Sequence, residues 1–127
     1  PMRFESTDGF PIYVGRNNRQ NDELTFRLAR KDDIWCHASK VHGSHVIISC
    51  GGKTPPDNTV TQAAQLAAYY AESTGGQNIP VDVTTVKQVK KVPSGKPGMV
   101  IYHTYRTAIV NPYPDVRIDP LNAEPKE

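Results

Sequence analysis

One stretch of this chain commits to a helix, and that helix dictates what the remainder must supply. Across residues 60–73, Val60, Ala64, Ala67 and Ala71 recur on one stripe with Ala63, Leu66 and Tyr70 beside it, which is the three-to-four spacing of an amphipathic helix. Thr59 and Gln62 stand three apart as a capping box, and Gly75-Gly76 supplies the stop. With alanine so frequent on the buried stripe, the helix can approach its neighbour closely. No other segment offers a partner helix of that length, so the stripe must be buried against a sheet.

The strands follow from period-two patterning. Residues 10–15, Phe10-Pro11-Ile12-Tyr13-Val14-Gly15, make a short strand, and Asp8-Gly9 before it turns the chain into a hairpin with residues 2–6. Residues 33–38 alternate, with Ile34, Cys36 and Ala38 on one face and Trp35 and His37 on the other. A strand over 45–50 follows the His42-Gly43-Ser44 loop. Val81 and Val83 alternate, residues 86–92 interleave valines with lysines, and strands over 99–104 and 107–110 meet at Tyr105-Arg106 as a tight hairpin. A short helix over 23–29, capped by Asn21 or Asp22, places Leu24 and Leu28 on one face. The fold class this predicts is α+β: a mainly antiparallel sheet with one long and one short helix in a single domain. Residues 1–114 form that domain, and 115–127, with Pro120 and Pro125 and few large apolar side chains, read as a flexible tail.

At 127 residues there is room for one domain. No apolar run nears the roughly 18 residues of a membrane-spanning helix, and Pro1 to Glu5 shows no apolar core of a signal peptide. Pro1 ahead of Met2 reads as an appended residue or a cut within a longer protein, with a stand-alone protein as the alternative. Two cysteines, Cys36 and Cys50, do not make a disulfide scaffold, which favours a reducing compartment. The net charge of +2 conceals its distribution. Residues 115–127 hold four acids against two bases, leaving 13 bases against 9 acids in the body, and between Lys87 and Lys96 the four lysines Lys87, Lys90, Lys91 and Lys96 have no acid among them. A local basic stripe of this kind is what phosphate binding requires, although a solvated strand face would show the same pattern.

Reactive side chains are densest in Trp35-Cys36-His37 and His42-Gly43-Ser44-His45. Zinc sites show two tight ligand pairs, whereas these ligands, with Cys50, are scattered, and strand alternation sends Cys36 and His37 to opposite faces. Ser44 or Cys36 beside a histidine, with Asp32 or Asp33 to orient it, lacks the context of a nucleophile elbow or a cysteine protease. Gly51-Gly52-Lys53-Thr54 fails as a phosphate-binding loop, since Ile47 stands where the first glycine belongs and prolines follow. Recognition fits better. Trp35 and His37 share a strand face and make a stacking platform for unpaired bases, with Ser44 and His45 adding hydrogen bonds; core packing of Trp35 and half-buried histidines are the plainer alternative. Arg16, Asn17, Asn18, Arg19 and Asn21 are rich in fork-shaped donors suited to phosphate and base edges, or else close a polar loop on itself.

Gly15-Arg16-Asn17-Asn18-Arg19-Gln20-Asn21-Asp22-Glu23-Leu24-Thr25, Asp33-Ile34-Trp35-Cys36-His37-Ala38 and Gly43-Ser44-His45-Val46, followed in order by Pro80 to Val83, Val86 to Lys91 and Lys96 to Val100, resemble the NFACT-R domain. The resemblance spans residues 4–112. It implies a C-terminal RNA-binding module of ribosome-associated quality-control proteins, which bind large ribosomal subunits carrying stalled chains and recruit tRNA to extend the chain without a template. It implies no enzyme activity in the module, no cofactor and no metal, partners in ribosomal RNA of the large subunit and tRNA, and a cytoplasmic, ribosome-associated location. Some bacterial members are named fibronectin-binding proteins, so a fibronectin-binding adhesin is the alternative, and an RNA-processing enzyme using His37, His42 and His45 a more distant one. Cys36 replaces a large apolar residue and His42 a common proline, both beside the expected binding face. The oligomeric state stays open.

Overall fold

A computed structural model describes residues 1–72 and 76–112; Ser73, Gly75 and the expected tail, 115–127, lie outside them. The chain runs β1 (Met2–Glu5), β2 (Pro11–Val14), α1 (Asn18–Glu23), a π-helical turn (Leu24–Leu28), β3 (Ile34–Ala38), β4 (Val46–Ile48), α2 (Asp57–Tyr69), β5 (Ile79–Thr85), a 3-10 turn (Val86–Gln88), β6 (Lys90–Lys91), β7 (Val100–Ile101) and β8 (Arg106–Val110). Six strands form one sheet in the order β1-β2-β4-β3-β5-β8, antiparallel at every pairing, and β6 with β7 makes a separate two-stranded ribbon. The fold is therefore α+β with a mainly antiparallel sheet and two helices.

Strand alternation divides the core between the two faces of this sheet. Ile12, Val14, Cys36, Val46, Ile48, Val81 and Val83 point to the face covered by α2 and meet Ala63, Ala64, Ala67 and Ala68 there. The alanines let α2 lie against β2, β4, β3, β5 and β8 together, and an inserted methylene would force strain into that contact. On the opposite face, Trp35 and Ile47 pack with Leu24 from the π turn and with Val86 and Val89, while Tyr13, Phe26, Val100 and Tyr102 close the rim. Register fixes this division: Trp35 stands opposite Ile47 and Thr84, and Cys36 opposite Val46 and Val83.

Four local expectations are corrected. The long helix begins at Asp57 after Pro56, which offers no side-chain cap. Thr59 and Gln62 do not cap it. Both are buried and lash α2 to the β1–β2 turn, with Thr59 Oγ1 donating to Asp8 Oδ2 at 2.9 Å and Gln62 Oε1 accepting from Thr7 N at 3.1 Å. The short helix starts at Asn18 and is capped by Asn17, whose side chain accepts from Gln20 N; the π turn that follows swings Leu28 out to 62% exposure while Leu24 stays inside. Residues 86–92 are not one strand, because the 3-10 turn breaks them. Finally, β7 and β8 do not pair with each other: β7 pairs with β6 and β8 joins β5.

Candidate nucleic-acid interface

The strand face away from α2 carries a groove of about 610 Å³ framed by three segments. Asn18 and Asn21 come from α1; His37, Lys40, Val41, His42 and Gly43 come from the end of β3 and the loop after it; Lys96 to Val100 and Tyr102 come from the β6–β7 ribbon. No acidic residue lines it. Two shallower hollows continue from it. One holds Asn17, Arg19, Gln20 and Glu23, and the other holds Arg16, Asn17, Ser44, Tyr70 and Glu72.

The groove's position is set by Asn21. Its side chain is buried, Oδ1 accepting from His45 N at 3.0 Å and Nδ2 donating to Gly43 O at 3.3 Å, so it ties α1 to the loop entering β4. Gly15 makes this possible, since a Cβ there would stand 2.0 Å from Asn21 Oδ1. The ribbon tip docks on the same helix: a Cβ on Gly98 would lie 3.1 Å from Asn18 Oδ1, and Lys91 reaches back to Asp22 at 2.8 Å while lying over the Phe26 ring.

Beneath the groove lies a packed group of rings. Trp35 and His37 stack at 5.6 Å with 8° between planes, and His45 and Tyr102 meet Trp35 edge-on at 5.2 and 4.8 Å. His37 Nδ1 lies 2.7 Å from the Ala38 carbonyl, which can only accept, so Nδ1 carries the proton. Burial lowers the His37 pKa, against the pull of the Ala38 and Gly43 backbone and of Asp82. Burial also takes His45 down to about 3, with the neighbouring His37 adding to the effect, and His45 Nδ1 shares a 2.8 Å bond with Thr25 Oγ1. Both imidazoles are neutral at physiological pH. Tyr102 donates to Asp82 Oδ2 at 2.6 Å, and Thr107 donates to Asp82 Oδ1 at 3.1 Å. The buried Cys36 thiol is pushed up to about 12 by desolvation, which leaves it unreactive.

The stacking platform expected of Trp35 is corrected by this packing. Trp35 is fully buried, with His37 laid across one face and core side chains around it, so no base can reach it. Trp35 supports the floor, and His37 alone of that pair reaches the groove. His45 and Ser44 are likewise buried. Of the lysines, Lys96 lines the groove, Lys91 is held by Asp22, and Lys87 and Lys90 are exposed on separate elements. Among the described residues no three His, Cys, Asp or Glu side chains converge as metal ligands.

Sequence reasoning missed Lys40, Val41, Met99 and Tyr102. Lys40 and Val41 fall between two recognised motifs, and Met99 and Tyr102 were assigned to a hairpin that does not form.

An antiparallel α+β domain with an acid-free basic groove on the face away from its long helix belongs to the class of small binding modules. A family model described as NFACT protein RNA binding domain matches residues 1–104, and the chain belongs to that family of RNA-binding domains. It is 44% identical over 115 residues to the Rqc2 homolog RqcH of Bacillus subtilis (strain 168), covering 91% of this chain and 20% of that protein. Its identity to the Rqc2 homolog RqcH of Streptococcus pneumoniae serotype 2 is 48% over 101 residues, covering 80% and 18%. The solved C-terminal part of the fibronectin/fibrinogen-binding protein from Streptococcus suis superposes with a TM-score of 0.85 at 43% identity, covering 91% of this chain and 46% of that one. The chain thus spans about one fifth of the curated relatives it matches.

Proposed function

We propose that this domain is a non-catalytic RNA-binding module of a longer, cytoplasmic ribosome-associated quality-control protein, and that it engages ribosomal RNA of the large subunit or tRNA. The observation that carries this reading is the acid-free groove, with Lys40, Lys96 and His42 around it and Arg16 and Arg19 in the adjoining hollows. The lysines and arginines neutralise backbone phosphates, while His42 and the asparagines at the α1 end supply hydrogen bonds to sugar and base edges. Its similarity to relatives named Rqc2 homolog RqcH supports the quality-control part of this reading. Hydrogen-bonded His37 and His45 support the floor of the groove.

If four to six phosphates are neutralised, affinity for tRNA falls roughly 10²–10³-fold between 50 and 200 mM salt. Fluorescence anisotropy on labelled tRNA measures this, and a flat salt titration overturns the reading. Replacing Lys40 and Lys96 together with Ala weakens all RNAs alike and reduces the salt slope by about two.

A second reading, fibronectin binding, draws on the name of the superposed Streptococcus suis protein. Immobilised fibronectin at physiological salt, with tRNA as competitor, separates the two: capture that RNA leaves untouched favours an independent adhesive surface.

A further inference from the structure

Charge neutralisation accounts for the rim of the groove and not for its walls. Val41 from the loop after β3 is 40% exposed, and Met99 from the ribbon is 49% exposed; both line the groove, with Tyr102 at its inner end. Lysines and asparagines would suffice for a phosphate backbone, which would leave these apolar surfaces wet. An A-form duplex offers them no base face either, since its bases are stacked inside and only their edges, sugars and phosphates are exposed.

Resting on the RNA-binding reading above, we propose that the groove receives a single unpaired nucleotide of RNA, its base seated between Val41, Met99 and Tyr102 and its flanking phosphates on Lys40 and Lys96. The volume of about 610 Å³ is large enough for one splayed nucleotide. Charge complementarity is met, since no carboxylate lines the groove.

The inner wall is rigid before any ligand arrives. The Tyr102 hydroxyl is fixed on Asp82, and its ring packs edge-on against buried Trp35. A wall that need not be ordered on binding leaves more of the stacking energy for affinity. Lys40 stands on the rim beside Val41 in a left-handed turn, φ of 60°, a turn conformation that Asn78 and Ser94 share outside the groove.

The test uses the 127-residue chain and two short blunt-ended RNA duplexes. One is fully paired, and the other is identical except for one unpaired 2-aminopurine bulge. Stacking of one base is worth roughly 1–3 kcal/mol, so the bulged RNA binds at least about fivefold tighter, and its 2-aminopurine emission changes on saturation. Val41→Ser and Met99→Ser, both on the exposed rim and checked for folding by circular dichroism, reduce that preference to twofold or less. Lys40→Ala weakens both RNAs equally. Equal affinity for the two duplexes with unchanged emission overturns this inference and leaves RNA binding standing. A bulge preference that survives in both serine variants places the base elsewhere and also overturns it. Absence of binding to either RNA at 50 mM salt overturns the RNA-binding reading itself.

Discussion

Asn21 makes two hydrogen bonds that no nearby backbone group replaces, one to the His45 N–H and one to the Gly43 carbonyl. Because the residue is buried, Asn21→Ala leaves both partners without protein contact. That costs about 2 kcal/mol, within the range for an unmade buried bond, and lowers the urea midpoint accordingly. Asn21→Asp keeps the acceptor for His45 but sets a buried carboxylate oxygen against the Gly43 carbonyl, so it destabilises at least as much as Asn21→Ala. A change below about 0.5 kcal/mol in Asn21→Ala would show that water takes over both bonds. The neighbouring asparagines illustrate what the sequence withholds. Asn17, Asn18 and Asn21 look equivalent in a polar run, yet Asn17 caps α1, Asn18 lines the groove and Asn21 is buried. Helix phase separates them, and it depends on a starting residue that composition does not mark. The tryptophan shows the opposite limit: alternation assigned Trp35 to its face correctly but said nothing of what covers that face.

Among the elements, the β6–β7 ribbon frames one side of the groove. It contributes Val100 and Tyr102 to the packing around Trp35 and is further attached through the Lys91–Asp22 pair, Lys91 over the Phe26 ring, the Gly98 N–H facing Asp22 and the close approach of Gly98 to Asn18. The ion pair is more than half exposed on the lysine side, and such pairs contribute at most about 1 kcal/mol. Gly98 is the tighter constraint. At φ of 87° an alanine is strained, and its Cβ would press on the α1 backbone, 3.3 Å from Asn18 Cα. Gly98→Ala therefore lifts the ribbon tip away from α1. RNA affinity drops by at least about threefold, global stability falls by no more than about 2 kcal/mol, and amide exchange quickens at Val100 and Ile101 before it does in β3. Unchanged affinity would mean that the ribbon's position does not shape the groove. The expected β7–β8 hairpin failed for a reason general to strands. Period-two patterning identifies strand character and inward faces, but pairing is chosen by which edge is open, and β8 finds it on β5.

For the molecule as a whole, the two faces of the sheet respond differently to acid. The α2 face is alanine and aliphatic residues with little to titrate, whereas the opposite face encloses His37 and His45 as neutral imidazoles. Their surroundings include each other, Asp82 and Asp22, and desolvation outweighs the carboxylates in both cases. With folded-state pKa values below the unfolded 6.5, each histidine contributes stability that is complete above pH 6.5. That contribution declines as pH falls towards the folded value, because the unfolded chain binds the proton first. For His45, whose folded value is about 3, the loss approaches about 1.4 kcal/mol per pH unit below 6.5. Urea denaturation at pH 7.5 and 5.0, a window above most carboxylate titration, should show a fall of roughly 2 kcal/mol or more. His45→Gln should be less stable than the parent at pH 7.5 and much less sensitive to the step to pH 5.0. If the variant keeps the full pH dependence, the acid sensitivity does not arise from His45, and a His37→Gln variant then tests the other imidazole of the cluster.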